Sequence, residues 1–509
     1  MSRATARPAA PIPASDKPAR ACSPLELLLP HGTSRRSALI GTSCPTALHP
    51  GSCGHPDASL DLVVLAPTAI ECRSPGWLAA AATAAAGRLD ADGLVYALVP
   101  APWRRQTIQL LRRQGLQPED ALLHVPDWST TSYLVPIQRG ALHYASTRLI
   151  ATSRWRRLLS RLARSTPGAL ALLPQLLPAV AVVARRPGSA ASFAWLDQLA
   201  PPAHQRPPVV MSTSWRGPGG AVVLHRLGGP RGTVDVVGKL LPTASNHHDL
   251  IREAGALAGL GSLARRIGTA VPQALGLEPV GSRLLLLQSA MEGEPVSLLL
   301  ARAPGRLYEV LERLSAWLAD WSRATATMTT LDAGMLQRVL LEPAAELAPL
   351  LEHGDAYTLW LRARCRSALG LRLPLVAVHN DLTMRNLLLD ERGRLSVVDW
   401  ECASAQGLPL GDFYYAVVDA VAATDGYRSR VAAARACFTP GGAYTGLLGR
   451  LQAQLVQALA LQPLVVELAL HACWLSHACR EQRQALPGAD RPFLELVAWL
   501  AAQCRECLQ

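Results

Sequence analysis

The stretch Val376-Ala-Val-His-Asn-Asp-Leu-Thr-Met-Arg-Asn-Leu-Leu-Leu389 places a short polar loop between two apolar segments. A further apolar segment, Leu395-Ser-Val-Val-Asp-Trp400, carries Asp399 eighteen residues after Asp381. The loop reads H-x-D-L-x-x-x-N. Phosphoryl transfer from ATP needs one carboxylate to orient and deprotonate the attacking hydroxyl, and an amide and a second carboxylate to hold Mg²⁺. The spacing therefore predicts a phosphotransferase that uses ATP and Mg²⁺.

The segment 376–400 resembles the aminoglycoside phosphotransferase and choline kinase branch of the protein-kinase-like superfamily, with a resemblance that extends over roughly residues 210–430. It implies that Asp381 is the catalytic carboxylate and that Asn386 and Asp399 are magnesium ligands. Trp400-Glu401 replaces the Phe-Gly of protein kinases, and no Ala-Pro-Glu follows. Both features favour the hydroxyl of a small molecule as acceptor over a protein.

Three further residues of this region have predicted roles. His379 is expected to brace the loop rather than to carry a proton, and Asp412 resembles the aspartate that anchors the catalytic loop in this family. Arg385 has two interpretations. Its guanidinium could offset charge that develops on the transferred phosphoryl group, or it could pair with Glu401 or Asp412.

Lys239 and Glu253, fourteen residues apart, fit the ion pair that orients the α- and β-phosphates. A buried strand rarely keeps an unpaired ammonium. Lys239 is also the only lysine after residue 17, in a chain whose other basic side chains beyond that point are arginines. Its retention indicates a need for a compact point charge; a strand-end surface lysine is the alternative.

The turn Gly217-Pro-Gly-Gly220 would correspond to the phosphate-covering loop, with Gly217, Gly219 and Gly220 allowing close approach of the backbone to the phosphates. Pro218 removes one N–H donor, and glycine turns are common, so the turn is informative only together with the lysine downstream. Ser289 to Met291 would be the hinge against adenine.

The predicted fold class is α+β: a bilobal protein-kinase-like fold preceded by a truncated α/β Rossmann-like domain. The expected segments are a disordered tail, a methyltransferase-like domain, a Pro-rich linker, a strand-rich small lobe and a helical large lobe, at 1–28, 29–188, 189–208, 209–292 and 293–509. Apolar residues with a 3.6-residue period predict large-lobe helices at 309–327, 334–351, 447–461, 464–484 and 492–507.

The region 29–188 resembles the later half of a class I methyltransferase. The resemblance rests on Leu60–Leu65, on Leu89–Val99 with its Asp92-Gly93 turn, and on the closing run Val180–Pro187. Predicted strands at Leu60–Leu65, Leu94–Val99 and Ala179–Ala184 alternate with predicted helices at 75–88 and 103–114, which argues for an α/β domain. A working enzyme of that type needs a glycine-rich turn after its first strand and an acidic residue for the ribose, and the sequence shows neither. We expect a degenerate domain that binds substrate or a partner.

Composition excludes little. The net charge of +12 comes from scattered arginines without interleaved aromatic residues, so nucleic-acid binding is not expected. The longest apolar run, 169–184, is interrupted by Pro174, Gln175 and Pro178, so no membrane span is expected.

Eleven cysteines without a repeating pattern and no visible signal peptide predict reduced thiols and a cytoplasmic location. Cys504 and Cys507, with His471, Cys473, His477 and Cys479, are nominal metal ligands for which core packing is the plainer interpretation.

Two other functions stay open at this point. One is a non-catalytic kinase-like scaffold, against which the joint presence of Lys239, Asp381, Asn386 and Asp399 argues. The other is a bifunctional methyltransferase-kinase. The identity of the acceptor is open too, with a sugar, an aminocyclitol, a secondary metabolite or a lipid head group as candidates. The acidic and basic residues after Asp412 are nearly balanced, which gives only a weak argument against cationic aminoglycosides.

Overall fold

The structure is a computed structural model. It describes residues 24–29, 36–40, 59–74, 76–125, 132–146, 179–199, 207–213, 222–228, 233–241, 247–280, 283–484 and 490–506. The chain divides into two compact units. The first consists of Met1–Thr233, Gly238–His247 and Glu278–Leu285, and the second of Val234–Val237, His248–Leu277 and Leu286–Gln509. The predicted segment boundaries stay predictions.

The first unit is built on a mixed β-sheet with strand order β1-β2-β3-β6-β4-β5-β7-β8. These strands are β1 (Ser37–Ile40), β2 (Leu60–Leu65), β3 (Leu89–Pro100), β4 (Gln117–Val125), β5 (Tyr133–Pro136), β6 (Ala179–Arg185), β7 (Val209–Thr213) and β8 (Val222–Gly228). Strands β1 to β3 are parallel, and the remaining neighbours pair antiparallel. Strand β6 is buried along its whole length, as its continuous apolar sequence requires.

Helices of the first unit cover this sheet. They are α1 (Ala69–Arg73), α2 (Trp77–Arg88), α3 (Arg104–Arg113), α4 (Arg139–Tyr144) and α5 (Ala194–Leu199). Alanines of α2 and Leu111 of α3 pack on β2, β3 and β6 in one apolar cluster. The predicted helices at 75–88 and 103–114 correspond closely to α2 and α3.

One pairing in the first unit crosses the predicted linker. Strand β5 pairs antiparallel with β7, with Tyr133 opposite Ser212 and Leu134 opposite Met211. The strands before and after residues 189–208 therefore belong to one sheet. Three later strands are divided between the two units, namely β9 (Thr233–Leu240), β10 (Ala274–Val280) and β11 (Arg283–Ser289).

The second unit is mostly helical. Its helices are α6 (His247–Arg266), α7 (Val296–Arg302), α8 (Leu307–Thr325), α9 (Ala333–Leu336), α10 (Glu342–Leu347), α11 (Gly354–Ala368), α12 (Gly411–Thr424), α13 (Arg430–Phe438), α14 (Thr445–Leu459), α15 (Pro463–Gln484) and α16 (Pro492–Glu506). Two small antiparallel sheets contain β12 (Glu294–Pro295), β13 (Thr327–Thr330), β14 (Arg372–Val378), β15 (Leu387–Leu389), β16 (Leu395–Val397) and β17 (Ser404–Gly407). The α+β class is confirmed.

The helix predicted over 334–351 is interrupted. A five-residue π-helix at Gln337–Leu341 separates α9 from α10, and a 3-10 turn at Ala348–Leu350 ends the segment. Pro343 lacks the N–H that a continuous α-helix would need, which explains the irregular hydrogen bonding just before it. The other four predicted large-lobe helices correspond to α8, α14, α15 and α16 within two residues.

The core of the second unit is one large apolar cluster around fully buried tryptophans, among them Trp321, Trp400 and Trp474.

Within the described residues, no single helix is long and apolar enough to cross a membrane. The pair Thr445–Leu459 and Pro463–Arg483 meets that test together by length and composition alone, bent by 116°.

Candidate active site

The polar loop 379–386 connects β14 to β15, and the β15–β16 hairpin returns the chain to it. Leu387 pairs with Val397, and the Asp390 carboxylate closes the hairpin turn by accepting from the backbone N–H groups of Arg392 and Arg394. One residue past the hairpin, the Val398 N–H donates to the Asn386 carbonyl oxygen at 2.9 Å. A local hairpin thus brings the segment that carries Asp399 back beside the loop.

Asp381 lies half-buried at the centre of the loop. The Asn386 side-chain amide donates to the Asp381 carbonyl oxygen at 2.9 Å and to its Oδ2 at 3.2 Å, and the Tyr415 hydroxyl donates to Oδ1 at 3.3 Å. Burial, followed by the negative charge of Asp399, raises the pKa of Asp381 from 3.8 to about 6. The carboxylate is still ionised at neutral pH, and its raised pKa suits a proton acceptor.

Asp399 has a left-handed backbone conformation, with φ of 70°, immediately before the 3-10 turn Trp400–Cys402. That turn points Glu401 back toward it: single carboxylate oxygens of Asp399, Glu401 and Glu253 lie within 4.8 Å of one another. Arg252, next to Glu253 on α6, donates from Nε to the Glu401 carbonyl oxygen at 2.6 Å.

This acidic group is a suitable place for a hard cation. Carboxylate and amide oxygens are the protein ligands that Mg²⁺ prefers, and carboxylates this close repel one another unless a cation lies between them. Asn386 fits as a further ligand because its Nδ2 faces Asp381 and leaves Oδ1 at the other end of the amide. The residues present therefore fit Mg²⁺.

His379 and Asp412 hold the start of the loop. The Asp412 carboxylate, at the first turn of α12, accepts from the N–H groups of His379 at 2.7 Å and Asn380 at 2.8 Å. The fully buried His379 ring contacts the Val398 carbonyl oxygen through Nε2 at 3.0 Å and accepts the Asp381 N–H at Nδ1 at 3.2 Å. His379 thus joins the loop to the Asp399 segment through both ring nitrogens.

Helix α12 holds the end of the loop as well, through residues that the sequence analysis missed. Asp419, fully buried, accepts the Met384 N–H at 2.7 Å and pairs with Arg430 at 2.7 Å. Asp412, Tyr415 and Asp419 are three and four residues apart, so they lie on one face of the helix. The sequence did contain a signal for these residues. Asp412 and Asp419 are carboxylates in the otherwise apolar, fully buried stretch 412–423, and buried carboxylates need specific partners.

Arg385 is exposed, and its guanidinium lies over the Tyr427 ring at 5.2 Å from the ring centre. The Asp412 carboxylate is instead occupied by the two backbone N–H groups of the loop. This arrangement does not support the interpretation that Arg385 pairs with Asp412. Its proposed action on the transferred phosphoryl group stays a prediction.

The predicted nucleotide-binding residues are distributed over both units. Lys239 is buried on β9 in the first unit, and Glu253 is buried on α6 in the second, so their ion pair stays a prediction. The glycine turn 217–220 lies outside the described residues. Ser289 ends β11, where its Oγ accepts the Gln273 N–H at 2.8 Å, and Met291 follows two residues later, half-buried.

The nominal metal ligands of the C-terminal helices are used in packing. The Tyr357 hydroxyl lies 2.8 Å from Nδ1 of His471, whose Nε2 is 4.0 Å from the Cys504 sulfur. The His477 ring stacks on Tyr415 at 3.8 Å between centres. Cys507 is outside the described residues.

Residues 223–447 match the family model described as the phosphotransferase enzyme family. The match includes the loop, Asp399 and all of α12. The predicted family, the kinase-like part of the fold and the enzyme class, a small-molecule kinase, are confirmed.

Solved structures show only distant similarity. An aminoglycoside phosphotransferase, APH(3'')-Id from Streptomyces rimosus, is 16% identical, with 53% of this chain and 92% of that chain covered and a TM-score of 0.34. A choline/ethanolamine kinase family protein from Mesorhizobium loti is also 16% identical, with coverages of 62% and 91% and a TM-score of 0.34. A type I macrolide 2'-phosphotransferase is 14% identical, with coverages of 58% and 90% and a TM-score of 0.33. No curated protein matches the chain.

Proposed function

We propose that this protein transfers the terminal phosphoryl group of ATP to a hydroxyl group of a small molecule, with Mg²⁺ as cofactor. The observation that carries the proposal is the convergence on one loop of Asp381, its amide partner Asn386 and the Asp399 group. The raised pKa of Asp381 and the fit of the neighbouring oxygens to a hard cation support the same assignment.

In this reaction the acceptor hydroxyl lies at the Asp381 carboxylate, which orients it and accepts its proton. The hydroxyl oxygen forms a bond to the terminal phosphorus as the bond from that phosphorus to the bridging oxygen breaks, and ADP leaves with the bonding electrons. Asp381 then releases the proton to solvent. Asn386 keeps the carboxylate in place through its two hydrogen bonds to Asp381. Tyr415 fixes the other carboxylate oxygen.

Asn386 and Asp399 would hold Mg²⁺, and bound Mg²⁺ would offset the negative charge of the phosphates. Lys239 would contact the α- and β-phosphates as a point charge, as expected of a lone lysine on a strand. Most of the rate acceleration then comes from positioning and charge neutralisation.

A screen of hydroxyl compounds that follows ATP consumption tests the proposal, with Asp381→Ala as the blank. The expected result is turnover with at least one compound that is lost in the variant. Wild-type protein that binds ATP but gives no Asp381-dependent turnover with any compound would favour the non-catalytic scaffold. Binding of S-adenosylmethionine by the wild-type protein would instead favour the bifunctional enzyme.

A further inference from the structure

We propose that the acceptor carries an anionic group, such as a carboxylate or a phosphate, and that Arg480 binds this group beside the hydroxyl that Asp381 deprotonates. The inference rests on the proposed function and specifies its substrate class. It argues against a cationic aminocyclitol as acceptor.

Arg480 lies next to the reacting carboxylate. It extends from α15, half-buried, and its NH1 donates to the carbonyl oxygen of Asn380, the residue before Asp381, at 3.3 Å. Its positive charge acts on Asp381 and lowers the pKa of that carboxylate against the larger effect of burial. A guanidinium here has most of its five donors left for a ligand.

Other arginines of the second unit have carboxylate partners. Arg483, one turn further along α15, pairs with Glu346, Arg430 pairs with Asp419, and Arg364 pairs with Glu467. In the part of the chain that the structure describes, no carboxylate lies within ion-pairing distance of Arg480, whose hydrogen bond goes to a backbone carbonyl. Planar guanidinium groups bind carboxylates and phosphates through paired hydrogen bonds.

Three carboxylates on the surrounding helices are already occupied. Asp412 binds two loop N–H groups and Asp419 pairs with Arg430. Glu481, beside Arg480 on α15, accepts from the N–H groups of Phe493 and Leu494 at the start of α16. An ammonium group of a ligand would therefore have to break an internal contact to gain any of these three carboxylates.

His477, three residues before Arg480 on α15, adds no charge. Burial lowers the pKa of His477 to about 3, with Arg480 and Arg430 contributing in the same direction, so the ring that stacks on Tyr415 is neutral at physiological pH. Arg480 therefore contributes a fixed positive charge.

Binding of small probes tests this site without catalysis. Glycerate, glycerol and aminopropanediol share a three-carbon hydroxylated frame and differ in charge, and glycerol phosphate adds a second anion. Each is added at equal ionic strength to the full-length protein with Mg²⁺ and ADP, and the change in melting temperature is measured. We expect glycerate and glycerol phosphate to stabilise the wild type and Arg483→Gln but not Arg480→Gln. Equal stabilisation of Arg480→Gln, no stabilisation of the wild type, or a larger effect of aminopropanediol would overturn the inference.

Kinetics decide the question wherever the ATP-consumption screen yields an acceptor. For an anionic acceptor, Arg480→Gln should raise the acceptor KM roughly tenfold or more, with the KM for ATP unchanged, and Arg480→Lys should recover part of the loss. A neutral or cationic best acceptor, or a KM equal to that of Arg483→Gln, contradicts the proposal.

The two proposals fail in different ways. Arg480-dependent binding of the anionic probes without any Asp381-dependent turnover would refute the phosphotransferase function and leave the anion site in place. If turnover depends on Asp381 but substitution of Arg480 does not change it, the anion site would be refuted and the phosphotransferase function would stand.

Discussion

One set of buried polar groups in the second unit differs in its partners from the buried polar groups of the first unit's sheet. In the first unit, polar groups of the sheet bind one another: the Tyr96 hydroxyl lies 2.8 Å from Nε2 of the buried His124, and Arg185 pairs with Glu119 at 2.9 Å, with Ser192 bonded to both. In the second unit Asp412, Asp419 and Tyr415 all reach the same loop.

This difference supports the proposed place of the chemistry. Buried polar groups that bind one another stabilise the fold. Buried carboxylates that accept from successive N–H groups of one loop fix the conformation of that loop, which pre-organised catalysis requires. The predictions below test whether the two kinds of buried polar group have separable effects.

The largest effect is expected for Asp381→Asn. The amide cannot accept the hydroxyl proton, so kcat should fall about a thousandfold or more. The pKa of Asp381 is raised in the folded protein. Ionisation of this carboxylate therefore lowers the free energy of unfolding as pH rises from 3.8 to about 6. The variant should therefore melt no lower than the wild type at neutral pH. Asp390→Asn, in the hairpin turn, is the matched control and should keep its activity; equal loss in both variants would contradict the role of Asp381.

The second effect is on stability. Asp419→Asn removes the charge partner of the partly buried Arg430 and weakens the hold on the Met384 N–H, so we expect a loss of about 3 kcal/mol in the free energy of unfolding. Urea unfolding measures the loss, and kcat should fall with it because the loop is released. Asp425→Asn, at the end of the same helix, should change the stability by less than about 1 kcal/mol. Equal stability of the two variants would show that Asp419 does not anchor the loop.

The pH profile gives a smaller effect. Activity requires ionised Asp381, so kcat/KM for the acceptor should fall about tenfold per pH unit on the acid side. The apparent pKa should lie between 3.8 and about 6. The negative charge of Asp399 helps to raise this pKa. The apparent pKa should therefore decrease as the Mg²⁺ concentration rises. An acid limb that does not move with Mg²⁺ would have to come from another group.

The smallest effect is expected in the first unit. Tyr96→Phe removes the hydroxyl that contacts the buried His124 and should cost roughly 1–2 kcal/mol of stability. Because this pair lies outside the proposed site, kcat and both KM values should match the wild type, as measured in the same assays. A specific loss of kcat in this variant would refute the separation between the two kinds of buried polar group.

Local patterns predicted much of the structure. Strands such as Leu60–Leu65 and Ala179–Arg185, and most of the long helices, follow from apolar periodicity. The proximity of Asp381, Asn386 and Asp399 could be predicted from sequence because a loop and a short hairpin connect them within twenty residues. Pairing of β5 with β7 has no such signal, since it joins segments more than seventy residues apart.

The support of the loop was only partly predictable. Asp412 was anticipated by family resemblance, whereas Tyr415, Asp419 and Arg480 were not. Their roles depend on which face of α12 or α15 meets the loop, and that is decided by packing of the whole helical unit rather than by local sequence. Asp419 could have been noticed as a carboxylate in an apolar helix, but its partners could not have been named.

Magnesium-dependent binding of ATP tests the central claim most directly. Calorimetric titration should show that the wild-type protein binds ATP much more tightly with Mg²⁺ than without it. Asp399→Asn should weaken the binding with Mg²⁺ about tenfold or more while leaving the weak binding without Mg²⁺ unchanged. Wild-type protein that binds no ATP, or an Asp399→Asn variant that binds it as tightly as the wild type in Mg²⁺, would contradict the assignment of this loop as a phosphotransfer site.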